Sequence, residues 1–209
     1  MNLRLCYGGT FDPVHDGHIA VADFAQKTCD ADVHFIPSAD PPHRQRPSAT
    51  ARQRADMLEI AIADRPHFFL DLREMQRDKP SYTVDTLREL RDELGADQPI
   101  AWLIGADAFA QLHTWHEWES LFDLAHFVVA VRPGYSMQSP HFSINERLCD
   151  SPERLKERPS GRIFSLSCPL RSESASAIRR ALAAGMPPIG LNPAVQAYIL
   201  EHGLYLKAL

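Results

Sequence analysis

The sequence has no surplus of basic residues. Its 22 Lys and Arg stand against 27 Asp and Glu, a formal net charge of −5 over 209 residues. Sequence-blind binding to DNA or RNA draws on such a surplus, so no nucleic acid partner is expected, although a local basic pocket for a small anion remains open. No apolar run reaches the roughly 18–20 residues of a membrane-spanning helix, so no membrane role is expected. Residues 1–9 have no charged stretch followed by a long apolar run, and no signal peptide is expected. There is no CxxC pair: Cys6, Cys29, Cys149 and Cys168 are scattered. They predict reduced structural thiols in a cytoplasmic protein, and a zinc site would need the fold to gather all four. With hydrophobics at 44% and charged residues at 23%, the composition excludes a disordered chain, a collagen-like repeat and a disulfide-stapled miniprotein. Histidine, by contrast, is plentiful: ten are present, candidates for ligands, acids and bases, phosphate donors or filler.

Short apolar runs alternate with longer helical patterns. Strands are expected at 3–7, 33–36, 68–72, 100–104, 126–131 and 162–166, and helices at 16–28, 48–63, 81–94 and 193–202. The apolar runs 100–104 and 126–131 suit buried parallel strands, with helical pattern between them. This β-α-β alternation predicts an α/β fold, a doubly wound parallel sheet in which ligands bind beyond the carboxyl ends of strands where strand order switches. Residues 37–47 and 132–159 read as loops. No composition break demands a second domain, so a single domain over 1–209 is expected, with a helical part from about 170 packed on it.

The sharpest motif is GGTFDPVHDGH at 8–18. Gly8 and Gly9 follow a strand, where backbone N–H groups can approach a ligand closely or simply make a tight turn. The next helix N-terminus directs free N–H donors into the same space. His15 and His18 are three apart and can share one face of a first helical turn; alone, each could be a surface or capping residue. Gly17 leaves room between them for a flat ring. The spacing is neither GxGxxG nor GxxxxGK[ST], and HExxH is absent, so the combination favours phosphate binding over a metal site.

GGTFDPVHDGH resembles the HxGH nucleotidyltransferases, and most of all the bacterial nicotinate mononucleotide adenylyltransferases. The resemblance implies a Rossmann-like nucleotidyltransferase fold. It makes His15 and His18 the groups that contact nucleotide phosphates and stabilise a pentacoordinate α-phosphate, with no covalent intermediate. On the ATP side it implies Gly8, Gly9, Thr10, Phe11, His15, Gly17 and His18.

Other stretches extend it. Asp40-Pro-Pro-His43-Arg44 is a stiff basic loop, either an exposed turn or a phosphate clamp, and the family's PPH-plus-basic stretch implies the latter for His43 and Arg44. SYTVDTL at 81–87 opens a helix with Ser81 or Thr83 as cap; the family's Tyr-Thr pair implies that Tyr82 and Thr83 sit at the nicotinate. Gly105 and Asp107 follow a strand, where an acid can accept from a ribose or cap a helix; the family's GxD with a later Trp implies ATP for them and nicotinate stacking for Trp115. Read alone, Trp115 is core or stacking plate. His113 and His116 match no family ligand and read as structural. Arg132 ends a strand and is a surface residue or a contact on the nicotinate side. SESASAIR at 172–179 begins a helix capped by Ser174 or Ser176. It departs from the family's ISSTxIR at Glu173, Ala175 and Ser176. Ser174, Ile178 and Arg179 persist, and the match implies ATP phosphates for Ser174, Ser176, Ile178 and Arg179, with Arg179 also catalytic.

The reaction implied is adenylyl transfer from ATP to nicotinate mononucleotide with Mg²⁺, giving deamido-NAD and pyrophosphate. A phosphopantetheine adenylyltransferase, a cytidylyltransferase and a non-catalytic nucleotide sensor are the alternatives; the first has no reason to need Tyr82, Thr83 and Trp115.

Overall fold

A computed structural model describes residues 2–39, 48–77, 80–131, 137, 143–168 and 173–206. Among these residues seven strands form one sheet: β1 (Arg4–Gly9), β2 (Val33–Pro37), β3 (Phe68–Leu70), β4 (Ile100–Gly105), β5 (His126–Val131), β6 (Leu148–Cys149) and β7 (Ile163–Ser167). Their order is β3-β2-β1-β4-β5-β7-β6, and every pairing is parallel. The chain builds outward from β1 in one direction, then returns to its other side with β4. The doubly wound expectation is met, and the switch in strand order falls between β1 and β4.

The helices are α1 (Asp16–Cys29), α2 (Ala51–Ile62), α3 (Thr83–Leu94), α4 (Ala106–Ala110), α5 (Leu121–Leu124), α6 (Ala175–Ala183) and α7 (Pro193–Glu201). Alternate strand residues point to opposite faces of a sheet. Leu5, Tyr7 and Leu103 pack with Ala22 and Ala25 of α1, Met57 and Leu58 of α2, Ile178 and Leu182 of α6, and Val195 and Ile199 of α7. Cys6, Trp102 and Ile104 pack on the other side with Val84, Leu87 and Leu90 of α3, Phe109 of α4, and Leu121 and Phe122 of α5. Covered on both faces, β5 is buried at all six positions, which is why its sequence is nearly all apolar.

Three expectations change. The helix expected at 48–63 starts at Ala51, because Thr50 accepts from the Gln53 N–H while Gln53 accepts from the Thr50 N–H. The one expected at 81–94 starts at Thr83. Ser81 is not its cap; the Ser81 hydroxyl donates to the Glu74 carbonyl at 3.2 Å, and Tyr82 takes the cap position. The stretch 132–159 is not all loop: β6 adds to the sheet edge beside β7, and a 3-10 turn over Pro152–Lys156 follows. Its apolar residues explain this, since Leu155 is fully buried and Cys149 nearly so. Residues 132–136 and 138–142 lie outside the described residues.

The four cysteines are buried free thiols. Among the described residues no helix is long and apolar enough to cross a membrane.

One glycine of the opening motif serves the core directly. A Cβ on Gly8 would stand 2.1 Å from Cζ2 of Trp102, whose ring is only 3% exposed and cannot swing away. Gly8→Ala is therefore expected to lower stability by about 1–3 kcal/mol through overpacking, read as an earlier urea midpoint. An unchanged midpoint would show that the Trp102 site yields.

Candidate active site

At the carboxyl ends of β1 and β4, the switch point opens into a cleft of about 670 Å³. Its walls come from distant stretches of chain: Gly8–Asp12 and His18, Ser81–Thr83, Gly105 and Asp107, Trp115 and His116, and Ser176 and Arg179.

The first loop is held from beneath. Arg54 is fully buried, donates from Nη1 to the Thr10 carbonyl at 2.7 Å, and bonds the Ala39 carbonyl through Nη2. Phe11 has a φ of 50°, a left-handed conformation rare for a bulky side chain. It is tolerated because the ring is locked among Tyr7, His18 and Phe35, at centroid distances of 5.5, 5.1 and 5.7 Å. Gly9 makes room for that ring: a Cβ there would stand 2.9 Å from Phe11 Cζ. Gly8 and Gly9 thus admit two aromatic rings of the protein, and Phe11 is 2% exposed, the floor on which His18 rests.

His15 and His18 stack, with ring centroids 3.7 Å apart and planes at 29°. Gly17 leaves room for a flat ring, but the ring is His15 itself: a Cβ on Gly17 would stand 2.9 Å from His15 Nδ1. The His15 N–H donates to His18 Nδ1 at 3.3 Å, which places the proton of a neutral His18 on Nε2. Burial pushes His15 down to about 4, while the charges of Glu173 and Asp16 work the other way. His18 lies well below its ordinary value, through burial first and His15 second. At neutral pH both rings are therefore uncharged, and His18 offers a hydrogen bond rather than a full charge.

Asp12, 7% exposed, gathers four groups. Its carboxylate accepts from the Ser48 N–H at 2.9 Å, the Ala49 N–H at 3.2 Å and the Tyr205 hydroxyl at 2.7 Å. Arg179 Nη1 donates to the Asp12 carbonyl at 2.5 Å and stands 3.8 Å from its carboxylate. Arg179 is thereby carried from α6 to the rim of the first loop. Ser174 caps α6, accepting from the Ala177 N–H at 3.2 Å, whereas Ser176 accepts from Arg179 at 3.4 Å. Ile178 does not face the cleft. Its side chain is 2% exposed in the core and its N–H bonds the Ser174 carbonyl, so the motif keeps it for packing. Glu173 lies against Gly190, where a Cβ would stand 2.1 Å from Glu173 Cγ.

The start of α3 opens onto the cleft at Tyr82 and Thr83, and no side chain caps it at Tyr82. Its N-terminal N–H groups are thus available to an anion. Thr86 holds this end in place, donating to Glu74 Oε1 at 2.7 Å. Glu74 is 5% exposed and burial raises its pKa, opposed by that hydrogen bond and by Arg77. Trp115 is half-buried on the cleft wall, and the turn that carries it follows α4. Asp107 is exposed in the first turn of α4. His116 also lines the cleft, its ring 4.5 Å from that of Tyr82, although it matches no family ligand and had read as structural. His43, Arg44 and Arg132 lie outside the described residues.

Sequence reasoning passed over Trp102, Glu74 and Tyr205, which carry no local signal. Asp12 stood inside the opening motif without a role, and its buried hydrogen bonds to distant residues supply one.

A family model described as cytidylyltransferase-like matches residues 6–181. A protein of Stenotrophomonas maltophilia named "Probable nicotinate-nucleotide adenylyltransferase" is 52% identical, over 98% of this chain and 97% of its own. One of the same name from Pectobacterium atrosepticum is 42% identical, over 98% and 99%. The chain belongs to the cytidylyltransferase-like family, among its nicotinate-nucleotide adenylyltransferases. In fold it is similar to the Plasmodium falciparum nicotinic acid mononucleotide adenylyltransferase complexed with NaAD, with a TM-score of 0.75 at 18% identity over 98% of each chain. Among family features, the PPH stretch falls on residues outside the described ones, while the altered SESASAIR still delivers Arg179 to the cleft.

The buried histidines set a pH dependence. His126, whose Nδ1 accepts from the Arg162 N–H, is also pushed down to about 4 by burial. The unfolded chain binds protons near 6.5, but the folded chain keeps His15 and His126 neutral down to about 4. Their contribution is complete above about 6.5, is lost as pH falls towards 4, and levels off below. Each adds a slope of up to about 1.4 kcal/mol per pH unit in that window. Urea midpoints are expected to fall between neutral pH and about 4.5; midpoints flat across this window would contradict neutral burial.

Proposed function

We propose that this protein transfers the adenylyl group of ATP to nicotinate mononucleotide, giving deamido-NAD and pyrophosphate, and that it acts as a single domain in the cytoplasm. The observation that carries the reading is one cleft lined by two unlike sets of groups. His18, backed by the stacked ring of His15, and Arg179 are one set, and the uncapped N-terminus of α3 with Trp115 is the other. The first set suits phosphates. The second suits a flat ring that bears a carboxylate, which favours the acid over the amide.

The nucleophile is a phosphate oxygen of nicotinate mononucleotide, already ionised at neutral pH, so no strong general base is required. It attacks the α-phosphorus of ATP; a new P–O bond forms, the bond to the bridging oxygen breaks, and pyrophosphate leaves with that electron pair. Catalysis is then positioning and electrostatic stabilisation. His18 donates from Nε2 to the phosphate, where charge gathers in the transition state, and His15 holds the His18 ring by stacking and through its backbone N–H. Arg179 faces the triphosphate, with Ser174 and Ser176 at the start of α6. The backbone of Gly8–Phe11 follows the nucleotide, and Gly105 and Asp107 take the ribose. Tyr82, Thr83 and Trp115 receive the nicotinate, His43 and Arg44 are assigned to the substrate phosphates, and Arg132 to the phosphate or the pyridine ring on the nicotinate side.

The donor set fits Mg²⁺ carried by the nucleotide. Asp12 and Glu74 are engaged by protein donors, Asp107 is the exposed carboxylate of the cleft, and among the described residues no three His, Cys, Asp or Glu side chains gather to hold a metal. When bound with the nucleotide, Mg²⁺ would supply positive charge against the departing pyrophosphate, with the exposed Asp107 as the cleft carboxylate open to it.

Pyrophosphate release, followed with ATP, Mg²⁺ and one acceptor at a time, tests the reading. Release with nicotinate mononucleotide, and not with phosphopantetheine or a polyol phosphate, is expected. ATP binding without release from any acceptor would instead support a nucleotide sensor. His18→Ala is expected to lower kcat about 10²–10³-fold while changing KM far less, because the lost contact is made mainly in the transition state. Unchanged turnover would remove His18 from this role.

A further inference from the structure

Tyr205 lies 193 residues beyond Asp12 and outside every motif, yet its hydroxyl donates to Asp12 Oδ1 at 2.7 Å. Its position is specified. After α7, Gly203 and Tyr205 both take φ values of 61°, and Leu204 between them is 9% exposed in the core with its N–H on the Ile199 carbonyl at 2.9 Å. A left-handed conformation at a bulky aromatic residue is unfavourable by itself and persists where surrounding contacts hold it. Leu204 and the Asp12 bond are such contacts.

The two oxygens of Asp12 have separate duties. Oδ1 takes the Tyr205 hydroxyl and the Ala49 N–H, whereas Oδ2 takes the Ser48 N–H and lies 3.8 Å from Arg179 Nη1. That distance is longer than a hydrogen bond. Arg179 is tied instead to the Asp12 carbonyl, and its guanidinium remains on the cleft wall.

We propose that Tyr205 is a positioning residue for the ATP end of the cleft: by holding Oδ1 of Asp12, its hydroxyl keeps the carboxylate from closing on Arg179 and leaves the guanidinium directed at the triphosphate. This rests on the adenylyl-transfer reading for the identity of the ligand. Without the phenol, Oδ1 loses its shorter hydrogen bond. The buried carboxylate then satisfies itself with Arg179, already 3.8 Å away, and the pair that forms competes with ATP phosphate. Burial first, and Asp12 second, raise the phenol pKa, so Tyr205 remains a donor at any pH where the protein would be assayed.

The test uses the full chain. Tyr205→Phe is expected to raise KM for ATP about fivefold, with a matching loss of ATP affinity by calorimetry and no change in KM for nicotinate mononucleotide. A general loosening of the structure would move both. In an Arg179→Ala background the same change should weaken ATP binding no further. Tyr198→Phe is the control, because the Tyr198 hydroxyl serves Asp56 at 3.0 Å on the adjoining helix and should leave KM for ATP unchanged. Tyr205→His keeps a ring N–H donor and is expected to fall between wild type and Tyr205→Phe; compared with wild type, it also carries the test if Tyr205→Phe does not fold. An unchanged ATP affinity in folded Tyr205→Phe, an undiminished effect in the Arg179→Ala background, or an equal effect from Tyr198→Phe would overturn the proposal. A wild-type protein that binds ATP but releases no pyrophosphate would overturn the functional reading, while the calorimetric comparison would still decide the role of Tyr205.

Discussion

The candidate site depends on one buried carboxylate. Asp12 sits where four parts of the chain converge: its own loop after β1, the entry to α2 through Ser48 and Ala49, α6 through Arg179, and the end of the chain through Tyr205. A buried carboxylate is costly unless every oxygen has a donor. That cost makes the convergence specific, because no one of the four segments satisfies Asp12 alone. Arg54, buried beneath the same loop, fastens Thr10 and Ala39 in the complementary way, as a buried cation that takes carbonyl oxygens. Between them the two charges shape a loop whose glycines are occupied by aromatic rings of the protein.

Burial also sets the chemical character of the histidine pair. Stacked at 3.7 Å and lowered in pKa, His15 and His18 are neutral before a ligand arrives. Two imidazolium rings in that arrangement would repel one another; two neutral rings do not. Arg179, whose pairing with Asp12 is only partial, is a full positive charge on the same cleft. In the proposed reaction the cleft thus separates a hydrogen-bonding function from a charge-neutralising one, and an acidic chain can offer an anion site because the relevant charge is local.

Much of the fold was legible in the sequence. The apolar runs at β4 and β5 announced buried parallel strands, and their alternation with helical pattern announced a doubly wound sheet, which the strand order bears out. The misreadings have local causes. Ser81 has the chemistry of a helix cap, but the Glu74 carbonyl lies within reach and takes its hydroxyl. Residues 148–156 look polar, yet Cys149 and Leu155 suffice to anchor them against the sheet. In the opening motif the residue types were informative and their local logic was not. Gly8 and Gly17 read as room for a ligand; their missing Cβ atoms clear Trp102 and His15, while Gly8 also lines the cleft. His116 was set aside for want of a family match and stands on the cleft wall, because the turns after α4 bring it to Tyr82.

The sequence by itself determined the periodicities, the clustering of Gly, His, Ser and Arg around strand ends, and through them the class of fold and the chemistry available. These are local properties, set by side-chain type and spacing over a few residues. Tertiary structure decided which of those residues share one cleft, which oxygen of Asp12 faces Arg179, and that Tyr205 takes part. Those relations join residues as far apart as 193 positions, and they rest on the need of buried polar groups for partners, which acts through space and leaves no pattern along the chain.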